Sequence, residues 1–313
     1  MLPQLGEDNM CQTTFKEYMH KSLGNEIIKE EYCEMMEYIL SSKNEDSYKE
    51  RIKSIKFKSS KQFLNILKEY VIYLEKKNRD FKDIIFKGNL IISSKEIQEL
   101  YFKDYGHLPL KRRLEKLRER ILYLLEPYEK NRVGEVAEDI KNYGSQNDET
   151  EILKQSKSVV KNEIKSICSE IYKMTDFNII DIYKALFENL ESFSTLIVSE
   201  YDDEYFNEVK FYTLEMIKSK KFNYEDQHAL LYLKGSLGDI LKISEIKYVI
   251  IDEAQDYTPL QYEILYKLFN NASITILGDL NQSINPFMNL GSYTNILDIF
   301  PKDETCIINL TKS

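Results

Sequence analysis

The chain has 313 residues, with 43 Lys and Arg against 52 Asp and Glu and a formal net charge of −9. That length suggests two domains or three, and an apolar fraction of 42% suffices for sizeable cores, which excludes a wholly disordered protein. An acidic balance does not advertise a general nucleic-acid binder, and the scattered Cys11, Cys33, Cys168, Cys306, His20, His107 and His228 exclude a zinc site or a disulfide framework.

Residues 3–19 read as a loop followed by a capped helix start. Thr13 or Thr14 can cap, and Glu17 stands three residues after Thr14 as in a capping box. From about 21 to 220 the sequence is chiefly helical and rich in Lys, Glu, Tyr and Ile. The spacing predicts helices over 24–42 and 61–78, the second with Phe63, Leu64, Leu67, Val71 and Leu74 on one side. Residues 83–93 switch to β character, and Lys87-Gly88-Asn89 between two aliphatic runs predicts a small hairpin, with a helix over 94–102 after it.

Residues 109–126 stand out. Pro109 suits a first helical turn, and Leu110, Leu114, Leu117, Ile121 and Leu124 recur at spacings of three and four. The other face carries Lys111, Arg112, Arg113, Lys116, Arg118 and Arg120 against Glu115 and Glu119, a balance of +4. Such a face can track phosphates or dock on an acidic protein surface, and it can equally be a solvated helix face. Residues 128–150, polar, acidic and marked by Gly134 and Gly144, read as a mobile connector. Helices are predicted again over 151–174, 179–193 and 205–220, and no internal repeat is apparent.

In Tyr224–Lys234 the sequence predicts a helix capped by Asp226, with Leu230, Leu231 and Leu233 toward a sheet and His228 packing or facing solvent. Tyr248-Val-Ile-Ile251 then reads as a strand buried on both faces. Asp252 and Glu253 follow at its carboxyl end, where open α/β sheets bind ligands. Paired carboxylates suit phosphate chemistry: one can hold Mg²⁺ through water, and the next can orient and deprotonate an attacking water. The plainer alternative is an acidic turn that only caps the next helix. Helical spacing over 259–270 and a second buried-strand pattern at Ile274–Leu277, ending in Gly278-Asp279, complete a parallel βαβ unit. No apolar run approaches the ~20 residues of a membrane span, no signal peptide opens the chain, and a cytoplasmic protein is expected.

Asp252-Glu-Ala-Gln-Asp256, followed by Gly278-Asp279-x-x-Gln282-Ser283, resembles motifs II and III of the UvrD/Rep-like superfamily 1 helicases and translocases. Three further phrases are similar to the HelD-type branch, whose members act on RNA polymerase. These are Leu2-Pro3-x-Leu5-Gly6-Glu7 with Thr13-Thr14-Phe15, the Lys87-Gly88 hairpin, and the helix opening Pro109-Leu-Lys-Arg-Arg113. The resemblance implies an α/β fold: part of a RecA-like (P-loop NTPase) parallel-sheet domain with a large, mainly helical insertion. On that reading residues 1–20 and 221–313 belong to the RecA-like domain 1A, and residues 21–220 form the inserted, 1B-like domain.

The same resemblance implies ATP and Mg²⁺ as cofactors. Asp252 takes the place of the residue that holds Mg²⁺ through water, Glu253 that of the catalytic base, and Gln282 that of the γ-phosphate sensor. Gln255, Asp256 and Asp279 fall on the cofactor-binding side. A phosphate loop, Gly-x-x-x-x-Gly-Lys-Ser/Thr, is not in the sequence, because none of the ten glycines is followed by lysine. A fragment is therefore expected, inactive alone and completed by the other motor domains of its parent. The family's Tyr-x-Phe/Trp-Arg-Gly-Ala is replaced by Asn285-Pro-Phe-Met-Asn-Leu290, which removes part of a base-stacking platform. Two functions stay open: a DNA helicase or translocase, and a HelD-type motor that binds and recycles RNA polymerase with little strand unwinding.

Overall fold

The structure is a computed structural model and describes residues 13–23, 28–42, 47–77, 79–142, 148–196, 202–239 and 246–308. In chain order its elements are α1 (Phe15–Leu23), β1 (Ile28–Lys29), α2 (Tyr32–Ser41), α3 (Tyr48–Lys58), α4 (Lys61–Lys76), β2 (Ile84–Phe86), β3 (Asn89–Ile92), α5 (Ser94–Glu99), α6 (Leu110–Asn142) and α7 (Glu149–Met174). These are followed by α8 (Ile179–Glu188), α9 (Asp203–Lys218), β4 (Lys221–Phe222), α10 (Tyr224–Lys234), β5 (Tyr248–Ile251), α11 (Pro259–Leu268), β6 (Ser273–Ile276) and α12 (Thr294–Leu297). They form two compact units, one of residues 1–73 with 179–313 and one of residues 74–178.

The first unit carries two short parallel pairings. β1 pairs with β4, Ile28 opposite Lys221, so the chain leaves and re-enters this pairing nearly two hundred residues apart. β5 pairs with β6 in register from Tyr248 opposite Ser273 to Ile251 opposite Ile276, with α11 as the crossover. The predicted βαβ unit is therefore present, and the first unit is a mostly helical body with small parallel sheets. Burial of β5 on both faces is not: Tyr248 is 78% and Ile250 72% exposed, whereas Val249 and Ile251 face inward. The inner face packs Ile251 and Ala254 against Tyr262, Leu265, Leu290 and Ile296. The α1 start forms as predicted, with the Thr14 hydroxyl accepting from the Glu17 amide at 3.1 Å and the Glu17 carboxylate accepting from the Thr14 amide at 2.9 Å.

Around α10 the first unit buries charge. Arg51 of α3 pairs with Glu225 and with Glu30, and Lys58 pairs with Asp226, which also accepts from the Tyr183 hydroxyl at 2.6 Å. Asn223, not Asp226, is the N-cap of α10, and Asp226 is the reciprocating third residue of that capping box. Its carboxylate thus serves the helix start and a buried lysine at once. His228 packs inside between Tyr224 and Phe15, and burial pushes its imidazole down to about 3. Glu30 accepts the Tyr224 amide at 2.9 Å as well as Arg51, yet its burial beside Glu225 and Asp226 raises its carboxyl to about 7 against the pull of Arg51.

The second unit is a helical hairpin with a β-hairpin beside it. The turn Lys87-Gly88 takes positive φ at both positions, 50° and 81°, as a two-residue hairpin turn requires. Several sequence expectations are corrected here and in the first unit. Residues 128–142 are not a connector, because α6 runs unbroken through Pro127 and Gly134 to Asn142. Its Val136 is buried, and Arg132 is tied to Glu163 of α7 at 3.1 Å. Residues 143–147 of the expected connector lie outside the described residues. The helix predicted over 24–42 begins only at Tyr32, after β1. The helices predicted to Phe102 and Phe193 end at Glu99 and Glu188, passing into a π turn and a 3₁₀ turn.

Candidate functional site

β5 ends at Ile251 and the chain reverses at once, because Glu253 adopts a left-handed backbone with φ 50° and ψ 42°. A non-glycine residue there carries strain of order 1–3 kcal/mol, which marks a position whose geometry the surroundings impose. Asp252 absorbs part of the turn by accepting the Glu253 amide at 2.9 Å. A 3₁₀ turn, Ala254–Asp256, follows and is pinned to the end of β6. The Leu277 amide donates to Ile251 and the Ala254 amide donates to Leu277, each at 2.9 Å. The Tyr262 hydroxyl of α11 donates to the Ala254 carbonyl at 2.6 Å, so the crossover helix also holds the turn.

Gln255 joins the two acidic loops. Its side chain is 1% exposed, its amide nitrogen donates to the Glu253 carboxylate at 2.7 Å, and its amide oxygen accepts from the Asp279 amide at 3.0 Å. One primary amide, a donor at one end and an acceptor at the other, thus fixes the carboxylate after β5 relative to the loop after β6. Gly278 makes room for it: a Cβ there would stand 2.6 Å from the Gln255 amide oxygen and 3.0 Å from the Ala254 nitrogen. In the second loop the Asp279 carboxylate accepts from the Asn281 amide at 2.9 Å and from the Gln282 side chain at 3.1 Å, and those bonds hold its carboxyl below the usual range. Asp256 accepts from the Ser283 hydroxyl and the Ile284 amide, both at 3.2 Å.

Asp252, Glu253, Gln255, Asp256, Asp279 and Gln282 therefore meet at the carboxyl ends of two adjacent parallel strands. Among the described residues none of the four carboxylates is in an ion pair, and their partners are amides and a hydroxyl. Exposed, unneutralised carboxylates of this kind suit a hydrated Mg²⁺ held by Asp252. Among the described residues no three His, Cys, Asp or Glu side chains gather to coordinate a metal directly.

Sequence reasoning missed Asn285. It is fully buried, its side-chain oxygen accepts from the Phe287 and Met288 amides at 3.0 and 3.1 Å, and its nitrogen reaches Met36. The Leu290 amide returns to the Gln255 carbonyl at 3.1 Å. The segment that departs from the family phrase thus folds as a strut beneath the turn. Asn285 between apolar neighbours was the only available signal.

The six basic residues between Lys111 and Arg120 of α6 do not form one free face. Arg113 is 5% exposed, donates to the carbonyls of Glu75, Gly106 and Leu108, and lies 5.0 Å over the Tyr101 ring. Arg118 donates to Thr175 and covers Tyr172. Lys111 and Arg112 meet Glu115, Lys116 meets Glu119, and Arg120 lies over Tyr123. The expectation that all six sit off the packing seam is corrected, because planar guanidinium groups fill positions where several carbonyls converge.

Among the described residues no helix is long and apolar enough to cross a membrane. Comparison with curated proteins finds no match. A family model described as the UvrD/REP helicase N-terminal domain matches residues 95–301, about two thirds of the chain and including both acidic loops. That family comprises ATP-dependent helicases that use Mg²⁺ and act on DNA, built on a RecA-like fold of which this chain shows part. The strand ends, the two acidic loops and the family match lead to one assignment: this chain belongs to the UvrD/REP helicase family.

Proposed function

We propose that the chain carries the hydrolytic half of an ATP-driven motor, completed by a phosphate loop supplied from outside these residues. The observation that carries this reading is the Glu253–Gln255–Asp279 bridge, which sets an unneutralised carboxylate against a second acidic loop at the ends of β5 and β6. When bound, Mg²⁺ supplies charge neutralisation to the phosphate oxygens. Asp252 would hold the ion through water. Glu253, fixed by the Gln255 amide, would accept the proton of the attacking water on the oxygen that Gln255 leaves free. Gln282, held against Asp279, would sense the γ-phosphate, and Asp256, tied to Ser283, would pass the state of the site to the second loop.

The proposed domains are residues 1–20 and 221–313 as part of domain 1A and residues 21–220 as the insertion, a span that contains the compact unit of residues 74–178. The HelD-type reading, in which the insertion engages RNA polymerase, is supported by the altered segment 285–290. Its ring Phe287 is half-buried under Lys56, 5.1 Å away, rather than presented as a stacking platform.

The test uses Arg112→Glu with Lys116→Glu, two exposed cations that leave the buried Arg113 in place. Single-stranded DNA and RNA polymerase binding are measured across a salt series. Selective loss of polymerase binding supports the recycling motor, and loss of DNA binding with a shallower salt slope supports the helicase. Unchanged binding of both removes this helix from either function.

A further inference from the structure

In the second unit a cleft of about 750 Å³ opens between the end of α4, the segment leading into β2 and the last turn of α7. That volume lies within the range of ligand-binding clefts. Four cations line it: Lys77, Arg79, Lys82 and Lys173. Elsewhere in this unit Lys87, Arg132, Arg112 and Lys116 are neutralised by glutamates of the unit itself. Arg79, Lys82 and Lys173 are in no ion pair among the described residues, and what sets them apart is that they converge on one cleft. Leu74 and Met174, both half-buried, contribute apolar surface below them.

Two features of the lining select among anions. Asp80 and Glu170 share the cleft with the four cations. Both repel any anion, but a phosphate backbone has no amide donors to offer them in return. A peptide presents an N–H at each residue, and the carboxylates can accept these while the cations take acidic side chains. The second feature is the floor. Its only ring, Phe81, is 4% exposed and packed edge-on against Tyr101, so no aromatic face is offered on which a base could stack.

We propose that this cleft binds an extended acidic segment of a partner protein, one that alternates aspartate or glutamate with aliphatic residues. Its carboxylates meet Lys77, Arg79, Lys82 and Lys173, and its aliphatic side chains cover Leu74 and Met174. The proposal is independent of the chemistry assigned to the acidic loops.

The experiment titrates the full chain into a fluorescein-labelled octapeptide of alternating Glu and Leu, read by anisotropy at low and moderate salt. Binding should saturate, weaken with salt, and weaken by about tenfold or more in Lys82→Glu/Lys173→Glu, whose sites are exposed. Lys82→Arg/Lys173→Arg should bind as the parent does, and unchanged melting of both variants shows that folding is intact. Four results overturn the proposal: no saturable binding, equal affinity for the reversed variant, equal affinity for a Lys–Leu octapeptide, or displacement of the peptide by oligothymidylate at matched charge.

Discussion

The first unit treats its charged groups in two opposite ways. Around α10, Arg51, Lys58, Glu225 and Asp226 are withdrawn from water and pair as two cations with two carboxylates, and the half-buried Glu30 also meets Arg51. At the ends of β5 and β6, Asp252, Glu253, Asp256 and Asp279 remain exposed or half-exposed and are held by amides and a hydroxyl. Desolvated charges must be paired to exist at all, so the first set serves architecture and leaves nothing for a ligand. Amide partners orient a carboxylate without cancelling its charge, so the second set keeps its attraction for a cation. The same residue types thus mean structure in one place and chemistry in the other, and the partner decides which.

Breaking the buried set should show the largest effect. Arg51→Ala leaves Glu225 buried without its cation and is expected to cost about 3–5 kcal/mol. Asp252→Asn should shift stability by less than ~0.5 kcal/mol. Urea unfolding of the two variants tests the contrast, and similar losses would erase it. At the second site the sharpest structural probe is Gly278→Ala, whose methyl would press on the Gln255 amide and the Ala254 backbone. A loss of about 1–3 kcal/mol is expected, with partial recovery when Gln255→Ala removes one of the clashing groups.

A smaller effect follows from Glu30. Its carboxyl is raised in the folded protein to about 7 from an ordinary 4.5, chiefly by burial. The folded state therefore binds a proton that the unfolded state has released between those values, and stability falls as pH rises through that window. The loss should be on the order of 1 kcal/mol, because part of the side chain still reaches water. His228, held neutral by burial, adds stability as pH rises toward its ordinary 6.5, so the Glu30 contribution is read as a difference. In thermal melts across pH 4–8 the stability of Glu30→Gln should fall less, or rise more, than that of the parent chain, and parallel profiles would place the titration elsewhere.

Much of the acidic site was legible in the sequence because its logic is local. A β-branched run ending in carboxylates, repeated after one helix, leaves few folds open, and the strand–helix–strand unit formed as read. What the sequence did not reveal depends on partners far along the chain. The exposure of Tyr248 and Ile250 depends on what covers that face, which alternation in one strand does not encode. Arg113 looked like one cation among six, and only the convergence of the Glu75, Gly106 and Leu108 carbonyls distinguishes it. The long α6 was hidden by Pro127 and Gly134, whose local preference for a break is overridden by packing of Val136 and the Arg132–Glu163 pair.

The central element of the proposed chemistry is Glu253 as a proton acceptor and not as a capping residue. The most direct measurement is ATP binding and single-turnover hydrolysis by the Glu253→Gln variant of the protein carrying the phosphate loop. Hydrolysis should fall by about 10²–10⁴-fold while nucleotide affinity holds, because the amide keeps the shape and the Gln255 contact but cannot take the proton. Turnover equal to that of the parent protein would contradict the account.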